Sequence, residues 1–214
     1  MLHLDRSEYI EFLPNLFLKR GKIHQITGSA RFILALIIGN VIQDEITWVR
    51  LERSNEILYP EGVSDWITLS NLIIVNTDNE EESLWVMEEF LKSGVSSLVF
   101  CQLNKLPKYV YVRRLTLSTK RSKEENKSIL PPTGIILSSF DHPISGVESR
   151  WNIKPYPNQR IFSEDNGFFL EDKWSLICNK SRIIESSWII KSKKFLSGKK
   201  IVEVSGNSKK YVND

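Results

Sequence analysis

The residues most able to do chemistry sit at one turn near the N-terminus. Ile23-His24-Gln25-Ile26 reads as a strand, Thr27-Gly28-Ser29 as a turn, and Ala30 to Ile38 as an apolar helix. A strand, a glycine turn and a helix start are what a phosphate cradle is made from, because backbone N–H groups at the helix start can face an anion. Such a cradle also needs further glycines, a lysine for the terminal phosphates and a Ser/Thr for magnesium. Here the turn runs Ile26-Thr27-Gly28-Ser29-Ala30-Arg31-Phe32, with one glycine and no Gly-Lys-Ser/Thr. Gly28, Ser29 and Arg31 are therefore the residues of a degenerate phosphate loop. Arg31 is the one cation close by, and its plainer reading is a surface arginine at a helix start. Lys22 precedes the strand and lies at the wrong end of it.

The metal side of such a site needs a carboxylate at a strand end. Leu98-Val99-Phe100 runs into Cys101-Gln102-Leu103-Asn104, and Leu72 to Val75 runs into Asn76-Thr77. Asp78 is better placed as a helix cap. ATP hydrolysis is not expected, and neither is a cofactor. The three histidines, His3, His24 and His142, have no Cys or His at ligand spacing, so no metal site is expected. His24 alternates with apolar residues on a strand and reads as a structural histidine. Asp141-His142 and Ser29 lack the partners that would make them an acid–base pair or a nucleophile.

A second group of candidates is basic and aromatic. Residues 1–110 carry 10 Lys/Arg against 15 Asp/Glu, and residues 111–214 carry 19 against 11. A basic half can meet nucleic acid phosphates or an acidic partner. Arg150-Trp151 and Lys173-Trp174 pair a cation with an aromatic ring, as base-stacking surfaces do. Lys191, Lys193, Lys194, Lys199 and Lys200 follow. The competing reading packs the tryptophans onto a sheet and leaves the lysines solvated.

The elements that must position these residues follow from pattern. Strands are expected at 46–51, 72–75, 97–101 and 133–137, with Leu72 to Val75 so apolar that it reads as an interior parallel strand. Asp78 or Asn79 caps a helix carrying Leu84, Met87 and Leu91, with Gly94 at its end. A further helix over 107–120 is expected from a weaker pattern. Alternating strands and helices imply a mostly parallel sheet with helices on both faces. After Ser138 the strands at 151–154, 174–178 and 187–190 lack intervening helices and read as antiparallel additions, with 157–170 an irregular loop. Residues 5–20 read as an amphipathic helix. Cys101 and Cys178 cannot make a disulfide scaffold and read as buried thiols. The longest apolar run, Phe32 to Ile38, is too short to span a bilayer, so a cytoplasmic protein with no membrane contact is expected.

Several of these runs resemble one family. Gly21-Lys22-Ile23-His24-Gln25-Ile26-Thr27-Gly28 resembles the G-x-I-H-E-I-x-G start of the ImuA-type, RecA-like family. Leu58-Tyr59-Pro60-Glu61-Gly62 is similar to its L-Y-P-x-G-L segment, and Leu84 to Gly94 to its A-L-W-A-M-E-E-A-L-R-S-G helix. Arg114-Leu115 and Ser149-Arg150-Trp151 match its R-R-L and T-R-W runs. The five occur in order across residues 21–151. Gln25 and Cys101-Gln102 depart from the family's acidic residues at those points. The resemblance implies an α/β, RecA-like three-layer fold (that of P-loop NTPases), with a mostly parallel sheet and antiparallel C-terminal strands. The expected parts are a helical arm over 1–20, a RecA-like domain over 21–190 and a basic tail over 191–214. It also implies an accessory role in SOS-induced, translesion mutagenesis. The implied partners are a Y-family-like polymerase homologue, an error-prone replicative-type polymerase subunit and the RecA filament. Any DNA binding is expected to be weak, sequence-independent and salt-sensitive, carried by the lysine-rich C-terminal half. A RecA-type ATPase and a SulA-like inhibitor of cell division are the alternatives.

Overall fold

The computed structural model describes residues 7–125, 130–157, 161–163, 167–169, 172–180, 187–194 and 200–205. The strands are β1 (Tyr9–Leu13), β2 (Leu16–Lys19), β3 (Ile23–Thr27), β4 (Ile46–Leu51), β5 (Leu72–Thr77), β6 (Leu98–Leu103), β7 (Thr133–Ser138), β8 (Ser149–Pro155), β9 (Ile161–Ser163), β10 (Gly167–Phe169), β11 (Asp172–Lys180), β12 (Ser187–Lys194) and β13 (Lys200–Ser205). The helices are α1 (Arg31–Asn40), α2 (Pro60–Ser64), α3 (Glu80–Ser93) and α4 (Tyr109–Glu125). Among the described residues the main sheet has nine strands, in the order β13-β12-β11-β8-β3-β7-β6-β4-β5. Strands β5, β4, β6, β7, β3 and β8 run parallel, and β11, β12 and β13 are added antiparallel. The fold is α/β with a mixed sheet.

Two cores flank the sheet. On one face Ile26, Trp48, Phe100, Ile135 and Leu137 meet Leu34, Ala35 and Ile38 of α1. On the other, Val49, Val99, Cys101 and Ile136 meet Leu84, Met87 and Leu91 of α3 and Val112 and Leu115 of α4. Helix α3 starts and stops as its sequence dictates. The Asn79 side chain accepts from Glu82 N, and Gly94 takes the left-handed conformation with φ 68°.

Several expectations are corrected. Residues 9–19 form a β-hairpin, not a helix: Pro14-Asn15 makes the turn, with Asn15 at φ 62°. Ile10, Phe12, Leu16 and Leu18 then point inward with strand alternation. The cause is α1, which is apolar nearly all round and needs cover on the side away from the sheet; the hairpin supplies it. Strand β5 is an edge strand, with Ile74 47% exposed. Its apolar run belongs to a strand that is only partly covered, with Ile74 facing solvent. Strand β8 is parallel to β3 and lies inside the sheet, because residues 139–148 carry the chain back across before it enters β8. Strands β9 and β10 pair as a small hairpin within the stretch expected to be irregular. Of the expected tail, 191–194 and 200–205 lie in the β12–β13 ladder, where backbone pairing holds a lysine-rich sequence extended. The remainder of 191–214 is outside the described residues. Among the described residues no helix is long and apolar enough to cross a membrane.

Candidate functional site

The turn after β3 is the place where the fold could offer backbone N–H groups to an anion. Its glycine is held there by the protein's own backbone. Gly28 has φ 96°, and a Cβ on it would lie 2.1 Å from the carbonyl oxygen of Ile153 in β8. No side chain fits at that approach, so glycine is required by the β3–β8 contact whether or not a phosphate ever binds. The same carbonyl accepts from Ala30 N at 3.3 Å, and the Gly28 carbonyl accepts from Arg31 N at 3.3 Å. Two N–H groups of the helix start are thus already used. Thr27 is laced to the same strand: Asn152 Nδ2 donates to its hydroxyl at 2.7 Å, and that hydroxyl donates to the Trp151 carbonyl at 3.4 Å.

Arg31 does not stand at the surface. It is 8% exposed, pairs with Glu56, donates to the Gly28 carbonyl at 3.3 Å and lies over the Phe32 ring at 4.9 Å. Phe32 packs edge-on against Trp48, which packs against Phe100. The arginine is drawn inward by its neighbour Phe32, itself held in this aromatic stack, and by Glu56, which is distant in sequence. Ser29 is exposed.

The strand ends opposite the turn do not supply metal chemistry. Gln102 is the penultimate residue of β6; it is 5% exposed, and neither amide atom has a partner in the protein. Asp78 lies outside α3, its N–H donating to Glu82 Oε2 at 2.8 Å, while Asn79 is the cap. Among the described residues no group of three or more His, Cys, Asp and Glu could hold a metal ion. The residues present do not fit a magnesium–nucleotide complex.

His24 and Gln25 are structural. His24 Nε2 meets the Lys19 carbonyl at 2.9 Å, which fixes the proton on Nε2. Nδ1 therefore accepts from the Ser149 hydroxyl at 2.6 Å, and that hydroxyl accepts from Trp151 Nε1 at 2.7 Å. Burial pushes the His24 pKa down to about 4. Gln25 donates to Ser138 Oγ and to the His142 carbonyl, both at 3.0 Å, and accepts from Ile144 N at 2.9 Å. It pins the crossover into β8. Asp141 and His142 are both exposed, and Asp141 accepts from Asn152 at 3.4 Å. Cys101 and Cys178 are buried free thiols, and burial, with Glu80 adding to it, raises the Cys101 thiol pKa.

The basic candidates are partly brought together. Trp151, Trp174 and Trp188 point to the α1 side of the sheet and are buried, Trp151 against Phe12 and Trp188. Neither Trp151 nor Trp174 presents a face to a base, which corrects the stacking expectation. Strand alternation sends Arg150, Lys154, Lys173 and Lys191 to the opposite face. Lys173 and Lys191 are directly opposite each other across β11 and β12. Lys193, Lys194 and Lys200 lie in the β12–β13 ladder, and Lys199 lies outside the described residues.

No protein-family model matches the chain, and no curated protein matches it. Among solved structures, the crystal structure of SulA from Pseudomonas aeruginosa matches with a TM-score of 0.44 at 13% sequence identity, over 55% of this chain and 98% of that chain. The resemblance is weak and partial.

What sequence reasoning missed is the Ile153 carbonyl, a backbone atom some 125 residues from the turn it fills. No residue type signals a backbone acceptor at that distance.

Proposed function

We propose that this chain is a non-catalytic accessory protein that acts through protein contacts in damage-induced mutagenesis, on a RecA-type core. One observation carries the non-catalytic part: the Ile153 carbonyl crowds the β3–α1 turn at Gly28 and takes the Ala30 N–H, while the Arg31 N–H goes to the Gly28 carbonyl. A RecA-type ATPase would need a lysine in that turn and a carboxylate at a strand end, and this sequence has Arg31 tied to Glu56 and Gln102 in those places. The RecA-type core is supported by the parallel strands with helices on both faces followed by antiparallel strands. The mutagenesis role is supported by the five ordered motifs across residues 21–151. The partners it implies are a Y-family-like polymerase homologue, an error-prone replicative-type polymerase subunit and the RecA filament.

A SulA-like inhibitor of cell division is the second reading. It works through contacts as well, so the same filled turn is compatible with it, and a SulA structure is the solved structure named above. DNA binding, where it occurs, is weak, sequence-independent and salt-sensitive, and is carried by the face with Arg150, Lys154, Lys173 and Lys191.

The test is affinity capture with the full chain from DNA-damaged cells of its source, with bound proteins identified by mass spectrometry. Recovery of the polymerase partners supports the mutagenesis role. Recovery of the division protein without them overturns it in favour of the second reading.

A further inference from the structure

The main sheet ends in a strand with nothing on it to turn a neighbouring strand away. β5 is the outermost strand, and Leu72-Ile73-Ile74-Val75-Asn76-Thr77 holds no charge, no proline and no bulge in its register with β4. Soluble proteins guard such edges with lysines, prolines or bulges, because an open row of N–H and C=O groups is a template for another strand. The strand at the opposite end of the sheet, β13, carries Lys200 and Glu203. The side chains along β5 are also incompletely covered: Ile74 is 47% exposed, and Leu72, Ile73 and Val75 are half-buried. Hydrogen bonds settle which backbone groups face outward. Glu52 N donates to the Thr77 carbonyl at 2.9 Å, so Thr77, and by alternation Val75 and Ile73, turn their backbone groups towards β4. Leu72, Ile74 and Asn76 turn theirs outward. The Leu72 N–H is taken by the Leu69 carbonyl, which leaves the Leu72 C=O and both groups of Ile74 and of Asn76 along the edge.

A second β5, laid antiparallel about a two-fold axis at Ile74, meets this set group for group. Ile74 of each copy donates to and accepts from Ile74 of the other, as a hydrogen-bonded pair does. Each Asn76 N–H then reaches the other copy's Leu72 carbonyl, and the Leu72 N–H that would be surplus is the one already used. On one face of the sheet Ile74 packs against Ile74; on the other, Ile73 of each copy packs against Val75 of the other. No charge meets a like charge across the pair, since Asp78 of one copy comes beside Ser70 of the other. A charged strand would set its charges against Ile73, Ile74 and Val75, so the edge takes an uncharged, apolar strand, and β5 itself has that chemistry and the matching donors and acceptors. We infer that β5 pairs with β5 of a second copy, giving an isologous dimer with one sheet running through both chains. The contact is one six-residue strand, about 20 Å long. That is small for a specific interface, so the dimer forms in the high-micromolar range. The inference does not depend on the proposed function.

The test is sedimentation equilibrium of the full chain from micromolar to millimolar concentration, with wild type, Ile74→Lys and Ile74→Glu. Wild type is expected to rise towards twice the monomer mass. Each variant alone is expected to stay monomeric, because the two-fold brings like charges face to face at the axis. Mixed in equal amounts, the two variants are expected to form a one-to-one dimer, because the ammonium of one chain then meets the carboxylate of the other. Only self-pairing centred on Ile74 gives that rescue; a contact between two different patches would not. Circular dichroism matching wild type establishes that the variants are folded, which the exposure of Ile74 favours. A wild type that stays monomeric, a folded single variant that still dimerises, or folded variants that do not pair when mixed would each overturn the inference. Should a variant fail to fold, hydrogen exchange of wild type decides it. Protection of the Ile74 and Asn76 amides that grows with protein concentration supports the pairing, and protection independent of concentration overturns it.

Discussion

Lowering the pH from 7.5 to 5 sets His24 against the fold. Its ring is 1% exposed and works as a neutral imidazole, donating to the Lys19 carbonyl and accepting from Ser149, whose hydroxyl takes the Trp151 indole N–H. A proton on Nδ1 would turn that nitrogen into a donor. The Ser149 hydroxyl would then have to find another acceptor, and a cation would sit in a buried site. The folded-state pKa is accordingly about 4, against an ordinary 6.5. Between those values the unfolded chain binds the proton and the folded chain does not, so stability is full above pH 6.5 and falls as the pH drops towards 4. At about 1.4 kcal/mol for each pH unit of separation, the loss is about 2 kcal/mol at pH 5 and about 3 kcal/mol at pH 4. Urea unfolding of wild type and His24→Gln at pH 7.5 and pH 5 isolates it, because the rest of the chain is identical in the two proteins. Wild type is expected to lose about 2 kcal/mol more than the variant across that interval. Equal losses in the two chains would refute the buried neutral imidazole.

Three further outcomes follow from the site. Gly28→Ala should lower stability by at least about 3 kcal/mol, through the positive φ and the clash with the Ile153 carbonyl; a thermal melt within a degree or two of wild type would contradict the close approach. Gln102→Leu should raise stability by about 1 kcal/mol, because it removes two buried amide atoms without partners; a marked loss on urea unfolding would mean that the amide is satisfied. Cys101 and Cys178 should resist a thiol reagent in the folded chain and react at the rate of unfolding, and rapid labelling in native buffer would show that one of them is accessible.

Much of the fold could be read from the sequence where local signals and tertiary demands agree. Asn79, the three glutamates after it and Gly94 delimit α3 without help from the rest of the chain. The parallel strands β4, β6 and β7 are apolar because both their faces are covered. Local signals were insufficient where a partner distant in the chain decides. Leucines at 13, 16 and 18 suit a helix as well as a hairpin, and α1's need for cover selects the hairpin. Leu72 to Val75 is apolar yet only partly buried, and nothing in its composition reveals that one edge has no neighbour. Arg31 looks like a surface residue until Glu56, distant in the chain, is placed beside it. That the turn carries one glycine and no lysine could be read from the sequence. The close approach of Gly28 to the Ile153 carbonyl could not, because that carbonyl lies in β8.

The most direct test of the account is calorimetric titration of the full chain with magnesium ATP into the millimolar range, with phosphate release followed in parallel. The filled β3–α1 turn predicts no saturable heat and no turnover. Saturable binding with magnesium-dependent phosphate release would contradict it and restore an enzymatic role to this turn.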